Sequence, residues 1–306
     1  MDRRTFVKTG LATSATLGLP FAGHSTITKN IDAKAFKLKY APHIGMFKHS
    51  AGEDAIDQIK FMADQGFSAF EDNGLATREV SLQEEIGKTL ADRKMEMGVF
   101  VGNWLIRKGD GLAKGDKEVR KAFVEEIKSS VDVAKRVNAT WMTIVLGNRH
   151  HRLEPSYQTA NIVETLKQAS SILEPHGLVM VLEPLNHLHN HPDVFLSKVP
   201  HGYLICKAVN SPACKILFDM YHQQITEGNI IQNIDYAYEE TGYFQIGDVP
   251  GRKEPTTGEM NYRNILKHIH SKGYVGILGM EHGNFHPNKE GEDRLIKAYR
   301  EVDDFE

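Results

Sequence analysis

Residues 177–184 read GLVMVLEP: Gly177, an apolar run from Leu178 to Leu182, then Glu183 and Pro184. Gly177 follows a segment of helical periodicity, where a left-handed C-cap belongs, and the apolar run after it has strand length. Gly66 and Gly273 punctuate the chain in the same way. Outward from this stretch, strand-length runs recur at residues 38–46, 67–71, 95–101, 140–146, 178–183, 215–219, 243–246 and 275–281. Helical patterns fill the intervals at 53–65, 77–93, 117–137, 156–175, 195–209, 225–241, 262–271 and 293–302. The clearest of them carries Val119, Phe123, Ile127, Val131 and Ala134 on one face. Eight βα units in succession, with no break in composition, predict a single α/β domain, a closed (β/α)8 TIM barrel. A doubly wound sheet fits less well, because no G-x-G-x-x-G follows the first strand.

The 306 residues are 41% hydrophobic and 25% charged, enough for a full core, which excludes a disordered chain or a disulfide scaffold. Lys and Arg number 37 against 40 Asp and Glu, a net charge of −3 without long blocks of one sign. Nucleic acid and anionic membrane surfaces are therefore not expected as partners, since both are held by clustered cations. Two cysteines, Cys206 and Cys214, are too few for a cysteine-rich zinc module. An exported protein could oxidise them; buried free thiols are the expectation.

The N-terminus reads differently from the rest. Arg3-Arg4-Thr5-Phe6-Val7-Lys8 precedes a mildly apolar stretch too short to be a permanent anchor. The pattern resembles a bacterial twin-arginine export signal, which implies the twin-arginine machinery as a partner, a periplasmic location and a mature form that is not membrane-bound. The expected layout is a signal over 1–23, a linker over 24–36 and the barrel over 37–306. The leader carries Arg3, Arg4 and Lys8 against Asp2, so the mature chain would stand at −5.

In such a barrel the chemistry sits at the C-terminal ends of the strands. Four late strands carry a metal-capable residue there: Glu183, Asp219, Gln245 and Glu281. Three carboxylates converging on one mouth repel each other unless a cation neutralises them. The alternative is three unrelated, solvated acids. An oxygen-only set suits Mg²⁺ or Mn²⁺, with Co²⁺ possible, better than zinc, which prefers nitrogen or sulfur.

The runs Leu182-Glu183-Pro184-Leu185-Asn186, Phe218-Asp219-Met220-Tyr221-His222-Gln223 and Gln245-Ile246-Gly247-Asp248-Val249-Pro250-Gly251-Arg252 carry a more specific signal. With Glu227-Gly228-Asn229, Glu254-Pro255, Gly258-Glu259, Asn261-Tyr262 and Gly279-Met280-Glu281, they resemble the hydroxypyruvate isomerase family, within the xylose-isomerase-like barrels. The resemblance spans residues 38–300. Related ketose 3-epimerases usually place His where this chain has Gln245. The resemblance implies Glu183, Asp219, Gln245 and Glu281 as metal ligands, with Glu183 and Glu281 also the acid/base pair. It further implies that His222 and Arg252 hold substrate oxygens.

That set suits proton transfer through an enediolate: two carboxylates on opposite faces of a substrate serve as base and conjugate acid. Arg252 offers a planar fork for a carboxylate or hydroxyl pair. Other residues carry two readings. His187, His189 and His191 follow the fifth strand, and His150 and His151 the fourth; imidazoles this close could bind a transition metal, but loop residues with one or two touching substrate are the expectation, His187 first among them. Glu71 ends the second strand and either touches substrate or holds a loop or a neighbouring His. Trp104 and Phe47 could wall the mouth against water, whereas Trp141, Met95, Met97 and Met280 read as core.

The leading expectation is a metal-dependent isomerase of a small hydroxy-aldehyde and hydroxy-ketone, acting on a sugar or hydroxy-keto acid. A ketose 3-epimerase, a metal-dependent lyase or dehydratase of oxidised sugars, and a non-catalytic sugar-binding protein are the alternatives. A phosphodiesterase on the same barrel is disfavoured by the net charge and by the amide at strand seven. A homo-oligomer is possible, and no exposed apolar stripe decides it.

Overall fold

The computed structural model describes residues 35–306. The expected export signal, and nearly all of the expected linker, lie outside the described residues.

Among the described residues the strands are β1 Lys39–Ala41, β2 Ala69–Phe70, β3 Glu96–Met97, β4 Trp141–Ile144, β5 Val179–Leu182, β6 Cys214–Asp219, β7 Thr241–Gln245 and β8 Ile277–Gly279. All pairings are parallel. Six strands form one ladder in the order β1-β8-β7-β6-β5-β4, and β2 pairs with β3. Two single bridges, His43 to Glu71 and Val101 to Thr143, join the pieces into a ring. The backbone bonds across these joins run from Glu71 N to Pro42 O (3.1 Å) and from Thr143 N to Phe100 O (2.8 Å). The ring is the barrel expected from the sequence.

The outer layer consists of α1 Ala55–Asp64, α2 Val80–Asp92, α3 Lys117–Val137, α4 Pro155–Leu173, α5 Val199–Val209, α6 Ile230–Ala237, α7 Tyr262–Ser271 and α8 Lys289–Val302. α3 shows why these segments are helical. Asp116 accepts from the N–H groups of Glu118 and Val119 at its start, and Asn138, left-handed at φ 52°, ends it. Between them Phe123, Ile127, Val131 and Ala134 are buried against the sheet. One expected helix, 225–241, is two. Gly228 (φ 64°) and Asn229 (φ 47°) turn the chain left-handed, so Met220–Thr226 and α6 are separate segments.

The interior of the ring explains where the polar residues go. Ala41, Ala69, Val99, Val181, Leu217, Tyr243 and Ile277 form a buried cluster distinct from the larger core between strands and helices. Side chains alternate along a strand, so the residue two positions later shares the inward face. Two residues on from Ala41, Ala69, Val181, Leu217 and Tyr243 stand His43, Glu71, Glu183, Asp219 and Gln245. Glu281 follows Ile277 by four. An apolar plug thus fills the lower barrel, and a polar crown lies on top of it.

Several expected core positions are occupied as read. Trp141 packs against Tyr243 at 5.9 Å between rings, and Met95, Met97 and Met280 are buried. Cys206 and Cys214 are buried free thiols. Phe47 is not a wall of the mouth; it is fully buried and packs on Phe61 and Phe67. No helix among the described residues is long and apolar enough to cross a membrane.

Candidate active site

Asp219 ends β6 and caps the helix Met220–Thr226: its Oδ1 accepts from Tyr221 N at 2.8 Å. Its Oδ2 therefore turns to the barrel mouth, 3.0 Å from Arg252 Nη2 and 3.5 Å from His222 Nε2. Glu183 Oε1, at the end of β5, lies 3.8 Å from the same imidazole nitrogen. Ligand-capable atoms of Glu183, Asp219 and His222 all lie within 4.8 Å of one another.

The tautomer of His222 follows from its other nitrogen. Nδ1 faces the main-chain N–H of Asn186 at 3.1 Å, and a main-chain N–H can only donate. Asn186 Oδ1 accepts from His189 N and Asn190 N, which fixes the amide with its NH2 also toward Nδ1, at 2.7 Å. Nδ1 is thus the acceptor, and Nε2 carries the hydrogen. Burial, with Arg252 and His191 nearby, pushes the His222 pKa well below the usual imidazole value, so the ring is neutral. His222 is accordingly a donor aimed into the mouth rather than a metal ligand.

Gln245 is held from below. Its Nε2 donates to Glu71 Oε1 at 2.9 Å, while Tyr243 OH donates to Glu71 Oε2 at 2.7 Å and His43 Nε2 lies 2.8 Å from Oε1. Burial lowers and the Glu71 carboxylate raises the His43 pKa, with a net rise that favours an ion pair. Gln245 Oε1 is left buried and without a hydrogen-bond partner.

Glu281 receives Asn73 Nδ2 on Oε1 at 3.0 Å and lies 3.2 Å from Arg252 Nη2 through Oε2. Arg252 also donates Nε to the Glu281 carbonyl at 3.1 Å and packs over the Tyr221 ring at 4.8 Å. Its loop is organised by Asp248, whose carboxylate accepts from Val249 N, Gly258 N and Met260 N. Close approach of the loop leaves no room at Gly258, where a Cβ would stand 2.0 Å from Val249 O.

The electrostatics are those of crowded acids. Burial, then Glu281 and Asp219, pushes Glu183 well above the usual carboxylate range. Burial pushes Asp219 up to about 7, with Arg252 working against that and Glu281 with it. Burial works against the charge on Arg252, but Glu281, Asp219 and Glu183 more than offset it and hold the guanidinium protonated. Three acids share one arginine, which leaves a deficit of positive charge.

The structure thus brings Glu183, Asp219, Gln245, Glu281, His222 and Arg252 to one mouth. It does not bring His187, which is exposed on the loop after β5 together with His189. His191 is the member of that run that turns inward, with its ring 5.5 Å from His222. Glu71 is fully buried, with its carboxylate engaged by His43, Tyr243 and Gln245. His150 pairs with Asp110 and His151 with Asp193, on loops away from the acids. Trp104 stacks on Arg107 and lines a separate pocket of about 530 Å³ against α3. Sequence reading missed His43, Asn73 and Asn186. The signal available for His43 was its position two residues after Ala41.

The chain belongs to the xylose isomerase-like TIM barrel family, whose model matches residues 59–302. It is 26% identical over 279 residues to the 2-oxo-tetronate isomerase of Cupriavidus necator, covering 88% of this chain and 91% of that one. To the hydroxypyruvate isomerase of Escherichia coli it is 27% identical over 203 residues, 65% of this chain and 77% of that one. Some curated relatives match over less; one from Xenopus laevis is covered over 60% of its length. The structure of D-psicose 3-epimerase with D-tagatose from Clostridium cellulolyticum H10 superposes with a TM-score of 0.72 at 17% identity, over 87% of this chain and 98% of that one. That likeness shows the shared fold. With isomerases as relatives over as much as 91% of their length, the chain is an isomerase-class enzyme.

Proposed function

We propose that the chain is a divalent-metal-dependent isomerase interconverting a small hydroxy-aldehyde and hydroxy-ketone, of the hydroxypyruvate isomerase type. One observation carries the metal part of this reading: the Gln245 amide nitrogen is committed to Glu71, which leaves its buried oxygen unpartnered beside crowded acids. A buried carbonyl oxygen without a donor costs roughly 1–3 kcal/mol. A cation would satisfy it and the acids together. Glu183, Asp219, Gln245 and Glu281 would hold the ion, and their hard oxygens favour Mg²⁺ or Mn²⁺, with Co²⁺ as a substitute. Such an ion supplies Lewis-acid stabilisation of negative charge growing on substrate oxygens.

The chain's own groups supply the rest. One of Glu183 and Glu281 takes the proton from the carbon next to the carbonyl, and the other returns one to the neighbouring carbon. Asn73 keeps Glu281 from rotating away. The His222 Nε2–H donates to a substrate oxygen, and Arg252 offers its fork to a second one. Tyr221 and the half-buried His191 limit water at this wall.

Incubation of the metal-loaded enzyme with small hydroxy-ketones and 2-keto acids in D₂O tests the reading. Deuterium should enter the carbon next to the carbonyl, and Glu281→Gln should stop its entry while metal is retained. Deuterium entering a carbon that only inverts would identify a 3-epimerase instead. Turnover that survives EDTA would refute the metal's part.

We also propose that the protein is exported to the periplasm by way of Arg3 and Arg4. Replacing both by Lys should retain it in the cytoplasm; normal export of that variant would refute the proposal.

A further inference from the structure

The side-chain amide of Asn186 has its whole hydrogen-bonding capacity committed. Its Oδ1 accepts from His189 N at 3.0 Å and from Asn190 N at 3.2 Å, and one hydrogen of its Nδ2 faces His222 Nδ1 at 2.7 Å. The other goes to Asn190 Oδ1 at 2.8 Å. That same oxygen accepts from the Tyr221 hydroxyl at 3.2 Å. The Tyr221 ring is in turn the surface on which the Arg252 guanidinium rests, 4.8 Å from the ring centre. A carbonyl oxygen has two lone pairs, so two donors saturate it.

One oxygen, on a residue exposed to solvent, thus joins two branches. The first runs through Asn186 to the buried imidazole whose Nε2–H enters the mouth. The second runs through Tyr221 to Arg252, which meets Asp219 and Glu281 there. A side chain that only stapled its own loop would bond loop atoms alone. Asn190 also reaches the helix after β6, 31 residues further along the chain. Hydrogen bonds at an exposed position compete with water and contribute little net stability. What these two supply is direction: without the oxygen, one Asn186 hydrogen and the Tyr221 hydroxyl lose their common anchor.

We propose that Asn190 is a positioning residue of this enzyme, whose amide oxygen fixes the directions of His222 and Arg252 relative to each other. Its consequence for the reaction rests on the reading above, in which those two groups hold substrate oxygens. Donors set by one atom reach the substrate at a fixed spacing, so they need not reorganise as charge develops on the oxygens they hold. The acceptor is the feature required: Asp at this position offers an oxygen to the same two donors, and Ala offers none.

Long-range ¹H–¹⁵N spectra of the metal-free protein read both branches at once, through the His222 Nε2–H and through the Arg252 Nε–H that the Glu281 carbonyl holds at 3.1 Å. Asn190→Ala should shift and broaden both signals, and Asn190→Asp should bring both back toward their wild-type positions. Tyr221→Phe cuts one branch and should move the Arg252 signal while leaving that of His222 in place. Both signals unchanged in Asn190→Ala, with only the urea midpoint lowered, would reduce Asn190 to a loop staple and overturn the proposal. A Tyr221→Phe spectrum in which His222 moves as far as Arg252 would overturn it too. In the metal-loaded enzyme, deuterium entry into dihydroxyacetone should slow about tenfold in kcat for Asn190→Ala, with KM moving less, and recover in Asn190→Asp. Exchange by Asn190→Ala at the wild-type rate would also count against the proposal. Absence of exchange in the wild type with every small hydroxy-ketone would instead refute the isomerase reading, and the two signals would still decide the role of Asn190.

Discussion

Glu71 and Gln245, 174 residues apart, are joined inside the barrel by a hydrogen bond of 2.9 Å that decides which atom the amide presents to the mouth. Glu71 is acceptor-only, so the amide must offer its nitrogen downward and its oxygen upward. Replacing Glu71 by Gln keeps the volume but sets an NH2 group against the donors of Gln245, Tyr243 and His43. The variant should lose roughly 1–3 kcal/mol of stability in urea. Its Mn²⁺ affinity, read by paramagnetic resonance, should fall about 10–100-fold, as expected when a group orienting a ligand is lost. Unchanged affinity would show that the amide does not need Glu71.

Gly279 has a strict steric role. A Cβ there would stand 2.0 Å from Glu71 Oε2, inside a fully buried contact. Gly279→Ala should cost about 1–3 kcal/mol or more, with the Glu71 network displaced. At Gly177 the φ is +65° but nothing lies within 4 Å of the added carbon. Gly177→Ala should therefore cost only the left-handed backbone penalty of roughly 1–2 kcal/mol and leave the site intact. Urea unfolding of the pair, with metal binding measured on each, checks the distinction.

The acids' share of the stability without metal should depend on pH in an unusual direction. Asp219 titrates at about 7 when folded, against roughly 3.9 for an unfolded aspartate, and Glu183 is shifted upward as well. Through these two groups the folded state binds more protons than the unfolded one between those values, which lowers stability as pH rises, whereas His222 and His282, kept neutral by burial with His282 pushed down to about 3, work in the opposite sense below about 6.5. The share of the acids should show as a difference: between pH 4 and 8 the Tm of the metal-free wild type should fall, relative to that of Asp219→Asn, as pH rises. Metal uptake should show the opposite trend, weakening below about 7 as protons compete for Asp219 and Glu183. A difference between wild type and Asp219→Asn that stays level or grows in favour of the wild type over this range would contradict the shift.

The tautomer of His222 is directly observable. Long-range ¹H–¹⁵N spectra should show an Nε2–H imidazole that stays neutral at pH 6, because Asn186 donates to Nδ1. Asn186→Ala removes one of the two donors and should make the ring mobile, with kcat lowered by about tenfold or more. A protonated ring at pH 6 in the wild type would exclude the assignment.

The legibility of this site in the sequence has a physical basis. Glu183, Asp219 and Gln245 each follow an inward apolar residue by two places, and an apolar run that ends in a polar residue is visible without coordinates. His43 escaped because the run over 38–46 reads as one strand, whereas β1 stops at Ala41 and the chain turns. Phe47, inside a helix-like turn just beyond, points into the core for the same reason. In the run of three histidines, loop geometry alone decides that His191 meets His222 while His187 faces solvent. The split of the 225–241 segment was written in Gly228-Asn229, whose left-handed preference was outweighed by the surrounding helical period.

The ring of strands is held unevenly. β4 through β8 and β1 share continuous ladders, yet β2 and β3 are fastened to them by one bridge on each side. One of those fasteners is His43 with Glu71, and the Glu71 side chain also steadies Gln245. Thermal breathing of the barrel should begin at this weak link, and every such opening would momentarily let the amide spin. The part of the wall that yields first is thus wired to the part that must stay still.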